Sequence, residues 1–421
     1  MVIRMPTFVY GRGHLLIMTV ALYLMQGMTV GLVSQAFPVL LRKAGTSLSL
    51  LSLFSFAALP WVGKFLWSTH VDNYYRGTLG YRRSWIIPAH GLQIILLTVL
   101  AFYSPAPQHI LSLFLLIILL SSAAATLDIA THGVAAQHFH GQALVWVNAF
   151  QVTGVMCGML LGGGGVMIIA DHYSYQSAIL VLAGLSLLCI LPVLCWREPP
   201  VVGKQQEKAA LRMFFRKANC RKLLPIALVV TGGGSVVFNL MKLILTDNYW
   251  DVAQVGVVAG GGASLMVLIG SLIAGFVLSR CSLLWVLYPG LGSILTACLL
   301  WLMFTLKVLP LASVYVWLAS GIGSLGIGIL SVGCFSLFMS NARLGSQPAT
   351  DFSVCESLQT FSSILYSSVG IVICQWGGYS AGVSFSTLLV LLGLSVIFHQ
   401  HSTLTRVYGQ PDNQTDAKCR E

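Results

Sequence analysis

Long apolar stretches alternate with short polar segments along the whole chain. Most of these stretches reach about 20 residues, the length that an α-helix needs to cross the hydrocarbon core of a bilayer. They predict twelve spanning helices, at residues 14–40, 47–69, 84–103, 109–136, 143–169, 176–196, 223–246, 253–279, 283–306, 311–339, 352–375 and 380–400. The first stretch, from His14, is too long for the apolar region of a signal peptide and is interpreted as a spanning helix.

One longer polar segment divides the twelve stretches into two groups of six. Its basic residues are Arg197, Lys204, Lys208, Arg212, Arg216, Lys217, Arg221 and Lys222. The sequence therefore predicts an all-α membrane protein with two six-helix bundles. The predicted division is an N-terminal bundle at 1–200, a cytoplasmic linker at 201–222, a C-terminal bundle at 223–400 and a cytoplasmic tail at 401–421.

The basic residues also predict the orientation in the membrane. Of the 23 Lys and Arg, about 18 lie in cytoplasmic segments if the N-terminus is cytoplasmic, because cytoplasmic loops concentrate positive charge. Arg42, Lys43 and Lys307 then lie outside, and Lys64 and Lys242 lie within helices. We expect a multi-pass protein of the bacterial inner membrane with both termini in the cytoplasm.

Composition excludes several classes of protein. Hydrophobic residues make up 57% of the chain and charged residues only 8%, too few to cover a water-facing surface. The net charge of +11 does not indicate nucleic-acid binding, since the basic residues occupy short loops between apolar runs. Neither a metalloprotease motif nor an ATP-binding motif is present, so we expect a monomeric transporter rather than an enzyme, with no cofactor.

Four charged residues interrupt the apolar stretches: Lys64, Asp128, Lys242 and Glu356. A charge at membrane depth costs at least about 2.5–3.5 kcal/mol, so each is a functional candidate. A purely structural role stays open for all four. The lysines could extend to the membrane surface, and Lys64 could pair with Asp128. The N-terminus of its helix could stabilise Glu356.

Three histidines raise the question of a metal site. His132, His138 and His140 lie near one helix end, and His138-x-His140 has a spacing found among metal ligands. Polar residues are ordinary at the end of a spanning helix, so we expect no metal site here.

Several motifs resemble the AmpG-like branch of the major facilitator superfamily, which includes muropeptide permeases, acetyl-CoA transporters and RhtX/FptX-type siderophore permeases. Matches in the second and third helices are Pro60, Lys64, Trp67, Asp72, Gly80, Arg82, Arg83 and Trp85. In the fourth helix, Asp128 of Leu-Asp-Ile-Ala-Thr-His matches the first of two family aspartates, and His132 replaces the second. The resemblance covers most of the chain but is looser in the C-terminal half.

The resemblance implies a proton-driven secondary transporter whose two halves rock about a central site. The expected substrate or proton pathway comprises Gln26, Trp61, Lys64, Asp128, His132, Lys242 and Glu356. Asp72, Arg82 and Arg83, after the second helix, are expected to act as a gate by pairing with helix ends in one conformation.

The substrate implied by the resemblance is a siderophore or its metal complex, imported from periplasm to cytoplasm. A first helix containing Tyr23-x-x-Gln26-Gly27 and a chain of twelve helices resemble RhtX/FptX-type permeases, and a cavity between Lys64 and Lys242 would suit an anionic or polar chelate. Two alternatives stay open, a muropeptide permease and an exporter of the free siderophore.

Overall fold

A computed structural model gives the architecture of the chain. It describes residues 12–46, 56–76, 78–103, 105–198, 208–250, 252–402 and 404. The start of the predicted helix at 47–69, part of the predicted linker and most of the predicted tail therefore lie outside the described residues.

The described part of the chain contains twelve helical segments that agree broadly with the predicted twelve, and a short additional helix, Leu211–Arg216, before the seventh. The twelve segments are α1 (Gly13–Lys43), α2 (Leu59–Gly63 and Phe65–Asn73), α3 (Arg83–Ala101), α4 (Ile110–His138), α5 (Gly141–His172), α6 (Tyr175–Cys195), α7 (Ala218–Asp247), α8 (Gln254–Leu278), α9 (Leu284–Thr305), α10 (Ser313–Arg343), α11 (348–377) and α12 (379–399). Ten segments are long and apolar enough to cross a membrane, the last of them being α11 and α12 together. Gly378 separates these two, because its φ of 71° and ψ of 178° break the helix.

Several helices begin or end a few residues away from the predicted boundaries. Helix α11 begins at Pro348 rather than at 352, and α10 continues to Arg343 rather than ending at 339. Proline at the first position of α11 explains its early start. The N–H that proline lacks would have no partner in the first turn of a helix, so proline costs nothing there. Both extensions place polar residues of the predicted loops inside helices.

Helices α1 to α6 form one half of the molecule and α7 to α12 the other. Within the first half, glycines allow α1 and α5 to approach very closely. A Cβ atom at Gly158 would lie 2.2 Å from the carbonyl oxygen of Leu24, and one at Gly162 would lie 2.0 Å from that of Met28. Glycine at these two positions thus serves the packing of α1 against α5.

The helix ends that border the basic loops lie together at one side of the bundle, here called the basic end. The halves meet there along α5 and α8, where a Cβ atom at Gly275 would lie 2.7 Å from Cβ of Ala149, and also along α2 and α11. Two polar contacts at the opposite end each stay within one half: Lys43 with Asp171, and Tyr379 with Asp247. The two halves are therefore closed together at the basic end.

Candidate functional site

Four ionisable side chains meet in the interior where the two halves touch. Lys64 of α2 donates hydrogen bonds from Nζ to Asp128 of α4 and to Glu356 of α11. With His132 of α4, these residues form what we call the charge cluster. The side chains of Lys64 and Asp128 are 1% and 0% exposed, so Lys64 does not extend to the membrane surface. Its ammonium joins the two halves, because α11 belongs to the second half.

His132 lies between the two carboxylates of the charge cluster. Its Nε2 is 3.3 Å from Asp128 Oδ1, and its Nδ1 is 3.4 Å from Glu356 Oε2. The side-chain amide of Gln151 on α5 donates to His132 Nε2 over 2.9 Å. A neutral imidazole that accepts at Nε2 carries its proton on Nδ1, the nitrogen that lies 3.4 Å from Glu356 Oε2.

The charges of the cluster do not balance without an added proton. One ammonium faces two carboxylates, which leaves one buried negative charge if both are ionised and His132 is neutral. An uncompensated buried charge is strongly unfavourable. One added proton, on Glu356 or His132, would make the cluster neutral.

Asp128, His132 and Glu356 also have the chemistry of metal ligands, and their donor atoms lie within 4.8 Å of one another. The ammonium of Lys64 already bridges both carboxylates. A divalent cation would have to displace it, so these residues suit a proton better than a metal ion. His138 instead packs edge-on against Trp196, with ring centroids 5.5 Å apart.

Three polar side chains lie about one helical turn from the charge cluster, on the side away from the basic end. They are Gln26 of α1, Trp61 of α2, three residues before Lys64, and Gln359 of α11, three residues beyond Glu356. Gln26 lies three residues beyond Tyr23, whose ring centroid is 5.8 Å from that of His132. Gln26 is 8% exposed and Gln359 is 9% exposed. Gln26 Oε1, Trp61 Nε1 and Gln359 Oε1 are buried, and none has a hydrogen-bond partner among the described residues. We call these three residues the polar layer.

Lys242 of α7 is the predicted site residue that joins neither group within the described structure. It is exposed, and its Nζ lies 4.9 Å from the ring centroid of Phe238, a cation–π contact. Lys64 is occupied by two carboxylates. The two lysines therefore do not form the pair of free cations expected on either side of a cavity.

A second group of charges closes the basic end, and we call it the latch: Asp72, Arg82 and Thr350. Asp72 Oδ1 accepts from Arg82 Nη2 over 2.8 Å, and both side chains are fully buried. Asp72 Oδ2 accepts from the backbone N and from Oγ1 of Thr350, each over 2.7 Å. Thr350 lies in the first turn of α11, so a carboxylate of the first half holds the N-terminus of a helix in the second.

Other residues hold Arg82 in place. Its Nε donates to Gln137 over 3.0 Å, and a Cβ atom at Gly133 would lie 2.4 Å from its guanidinium carbon. The carboxylate of Glu198 accepts from the backbone N of Arg82 and of Arg83 at the start of α3, over 2.8–3.0 Å. Arg83, which was predicted alongside Arg82, points elsewhere and reaches the carbonyl of Leu194 over 3.4 Å.

The linker between the halves is tied to both of them beside the latch. Asn73 of α2 exchanges two hydrogen bonds with the backbone of Ala209, over 2.8 Å and 2.6 Å. Gln347, just before α11, accepts from the backbone N of Ala210 over 2.8 Å. Near the same helix start, Lys217 pairs with Asp351 over 2.8 Å. The linker thus strengthens the closed basic end.

Sequence reasoning missed Thr350, Gln151, Gln359 and Glu198 as partners in these groups. Thr350 stands in the Ala-Thr-Asp-Phe sequence at 349–352, in the C-terminal half, where the family resemblance is looser. Glu198 stands among the basic residues that follow α6. Spacing along one helix cannot predict contacts to residues more than 100 positions away, such as Glu198 with Arg82.

The chain is similar in sequence to known membrane transporters. Residues 15–106 match the family model described as acetyl-coenzyme A transporter 1. The chain is 26% identical over 265 residues to the anhydromuropeptide permease of Escherichia coli K12, a match that covers 61% of this chain. The chain thus spans about half, 54%, of the length of that curated relative. These comparisons do not confirm the siderophore branch of the resemblance.

Solved structures establish the fold. The proton:xylose symporter XylE superposes with a TM-score of 0.73 at 12% identity, covering 94% of this chain and 97% of that one. The transporter FucP in its outward conformation superposes with a TM-score of 0.68 at 11% identity, covering 94% and 99%. The chain has the major facilitator superfamily fold, as the resemblance implied, and its named relatives are transporters and permeases.

Proposed function

We propose that this protein is a proton-coupled secondary transporter. The observation that carries the proposal is the charge cluster, in which one buried lysine joins two carboxylates from opposite halves of the molecule. Such a cluster needs one more positive charge to be neutral, and a proton supplies it. Ionisable residues at membrane depth commonly mark proton pathways in transporters.

Glu356 is the residue through which the proton acts on the conformation. Its side chain is 13% exposed, more than that of Lys64, Asp128 or His132, so it is the member that a proton reaches from the side away from the basic end. A neutral Glu356 attracts Lys64 less strongly, while Asp128 keeps the lysine in the first half. Protonation therefore weakens the tie between α2 and α11 and allows the halves to separate at the basic end.

The polar layer supports a substrate rich in amide or hydroxyl groups. The amides of Gln26 and Gln359 and the indole N–H of Trp61 offer donors and acceptors of neutral type, and their buried atoms lack partners within the described part of the chain. A ligand that supplies those hydrogen bonds relieves a cost of about 1–3 kcal/mol for each group. Together with the permease relative, this favours an anhydromuropeptide as the transported molecule.

The direction of transport follows from the orientation that we propose. Positive charge accumulates in cytoplasmic loops, which assigns the basic end to the cytoplasm and both termini with it. The halves are closed at that end, as in a transporter that awaits substrate from the periplasm. An inward proton gradient would then drive uptake into the cell. A ferric siderophore is the second candidate substrate, because Gln26 of the first-helix motif that resembles siderophore permeases lies in the polar layer.

The test uses purified protein in liposomes. The orientation of the protein in the liposome membrane is determined from the accessibility of the linker to an added protease. Uptake of radiolabelled anhydro-N-acetylmuramyl tripeptide and of a radio-iron siderophore complex is measured with and without an imposed proton gradient. We expect gradient-dependent accumulation of the muropeptide, abolished by a protonophore. Accumulation of the siderophore alone would overturn the muropeptide assignment but not the coupling.

Two variants separate coupling from binding. Glu356→Gln mimics the protonated state permanently, so it should lose accumulation against a gradient while it still exchanges labelled for unlabelled substrate. Asp171→Asn, an exposed acid paired with Lys43 at the opposite end, is the matched control and should behave as the wild type. Normal accumulation by Glu356→Gln would refute proton coupling through this residue.

A further inference from the structure

Three buried polar side chains lie beside the charge cluster or one helical turn nearer the basic end. Gln151 of α5 contacts His132 directly. Asn148 lies three residues earlier on the same helix, and therefore one turn nearer the basic end. Ser353 of α11 has the same relation to Glu356. The charge cluster thus has polar neighbours on both of its sides, the polar layer on one and these three residues on the other.

These three residues are fully buried yet incompletely hydrogen-bonded. Asn148 and Ser353 are 0% exposed and Gln151 is 2% exposed. Asn148 Nδ2, Asn148 Oδ1, Gln151 Oε1 and Ser353 Oγ have no partner among the residues that the structure describes. A buried polar group without a hydrogen bond is unfavourable, and buried water is the usual remedy in folded proteins.

The latch lies a short distance along α4 from the charge cluster. Arg82 of the latch donates to Gln137, five residues beyond His132 on α4. At 1.5 Å per residue, the two contacts are about 7.5 Å apart along the helix axis, a gap that about two or three water molecules would bridge. Arg82 Nη1 is itself buried without a partner in the described part of the structure.

We propose that Asn148, Gln151 and Ser353 hold a chain of internal water molecules through which the proton leaves the charge cluster toward the basic end. This inference rests on the proposed proton coupling. The N–H or O–H bond of protonated His132 or Glu356 breaks as its proton passes to the nearest water, and each water passes a proton to the next. One proton is transferred in total, and the histidine or carboxylate returns to its unprotonated form.

The guanidinium of Arg82 gives the latch control over this path. A guanidinium donates hydrogen bonds but cannot accept a proton, so a chain of water molecules that ends at Arg82 cannot pass the proton on. While Arg82 stays bound to Asp72 at the basic end, the path ends at that side chain. Release of the latch moves the guanidinium and opens the exit, so that protons cross only when the substrate also can.

The experiment compares two rates in the same liposomes. One is proton flux during uptake of anhydro-N-acetylmuramyl tripeptide, followed with an internal pH dye. The other is exchange of labelled for unlabelled tripeptide, which needs no net proton release. Asn148→Leu should lower proton flux by about tenfold or more and leave exchange within about twofold of the wild type. Asn148→Ser, which keeps a hydroxyl and makes room for water, should recover most of the flux.

The control is Ser121→Ala, which removes another fully buried, unpartnered hydroxyl, from α4 on the far side of Asp128, and should leave both rates unchanged. Wild-type proton flux from Asn148→Leu would overturn the water chain while the proposed function stood. Equal loss of flux and exchange would also overturn it, because Asn148 would then serve folding or binding. Absence of proton flux in the wild type would instead refute the proposed function.

Discussion

The charge cluster and the latch both hold a buried basic side chain against carboxylates, but they balance charge differently. In the latch one guanidinium meets one carboxylate, and both oxygens of Asp72 have partners within 2.8 Å. In the charge cluster one ammonium meets two carboxylates, and Asp128 Oδ1 lacks a well-formed hydrogen bond within the described structure.

The difference separates two tasks. A charge-balanced pair whose carboxylate has partners at both oxygens resists a change of protonation, so the latch is suited to hold two helices together until the halves move apart. An unbalanced cluster changes its charge by one when a proton binds, so it is suited to sense the proton gradient. Variants that remove charge should therefore affect energy coupling at one site and closure at the other.

Removal of the shared cation should have the largest effect. Lys64→Met leaves two carboxylates buried together without a counter-ion, and breaking a buried ion pair in this way costs about 3–5 kcal/mol. We expect little folded protein in the membrane and a lower melting temperature in detergent. The double variant Lys64→Met/Asp128→Asn removes one carboxylate as well and should recover part of the lost stability. A single variant as stable as the wild type would contradict the buried ion pairs.

Neutralisation of Asp128 should abolish coupling but keep the fold. In Asp128→Asn, the charges of Lys64 and Glu356 cancel without an added proton. The variant therefore has no electrostatic reason to protonate Glu356, and the ion pair between the halves is not weakened. We expect accumulation under a proton gradient to fall to background, while substrate exchange persists. A single symmetric peak in gel filtration would show that the variant is folded. Proton-driven accumulation at the wild-type level would show that Asp128 has only a packing role.

Charge removal at the latch should separate three neighbouring arginines. Arg82→Gln should impair uptake strongly, since it strands Asp72, whereas Arg83→Gln should have a smaller effect because Arg83 contacts only a backbone carbonyl. Arg76, which is exposed, serves as the control and should tolerate glutamine. A double-mutant cycle with Asp72→Asn should give a coupling energy of about 0.5–3 kcal/mol, and additive effects would show that the pair does not act as a unit.

Sequence and structure agree most where a feature lies within one helix. The spacing of Asp128 and His132 predicts that both face the bundle interior, and the intramembrane charges of Lys64 and Glu356 mark their helices as inward-facing. The pairing of Lys64 with Glu356 was not predictable, because the two are 292 positions apart and meet only through the packing of α2 against α11. Sequence likewise could not distinguish Arg82 from Arg83, since only the turn before α3 decides which of them points at Asp72.

The smallest effect concerns the carboxylate that caps α3. Burial raises the pKa of Glu198 above its ordinary 4.5, against the lowering effect of the backbone N–H groups of Arg83 and Arg82. Folding thus favours the protonated form, and this stabilisation is complete below pH 4.5 and lost as the pH rises through the raised pKa. Glu198→Gln cannot ionise, so the wild type should lose stability relative to this variant as the pH rises. We expect a relative change in melting temperature of about 2 °C or less between about pH 4 and about pH 8. A difference between the two proteins that stays constant over this range would mean that burial does not raise the pKa of Glu198, because the backbone N–H groups at the start of α3 then compensate its charge fully.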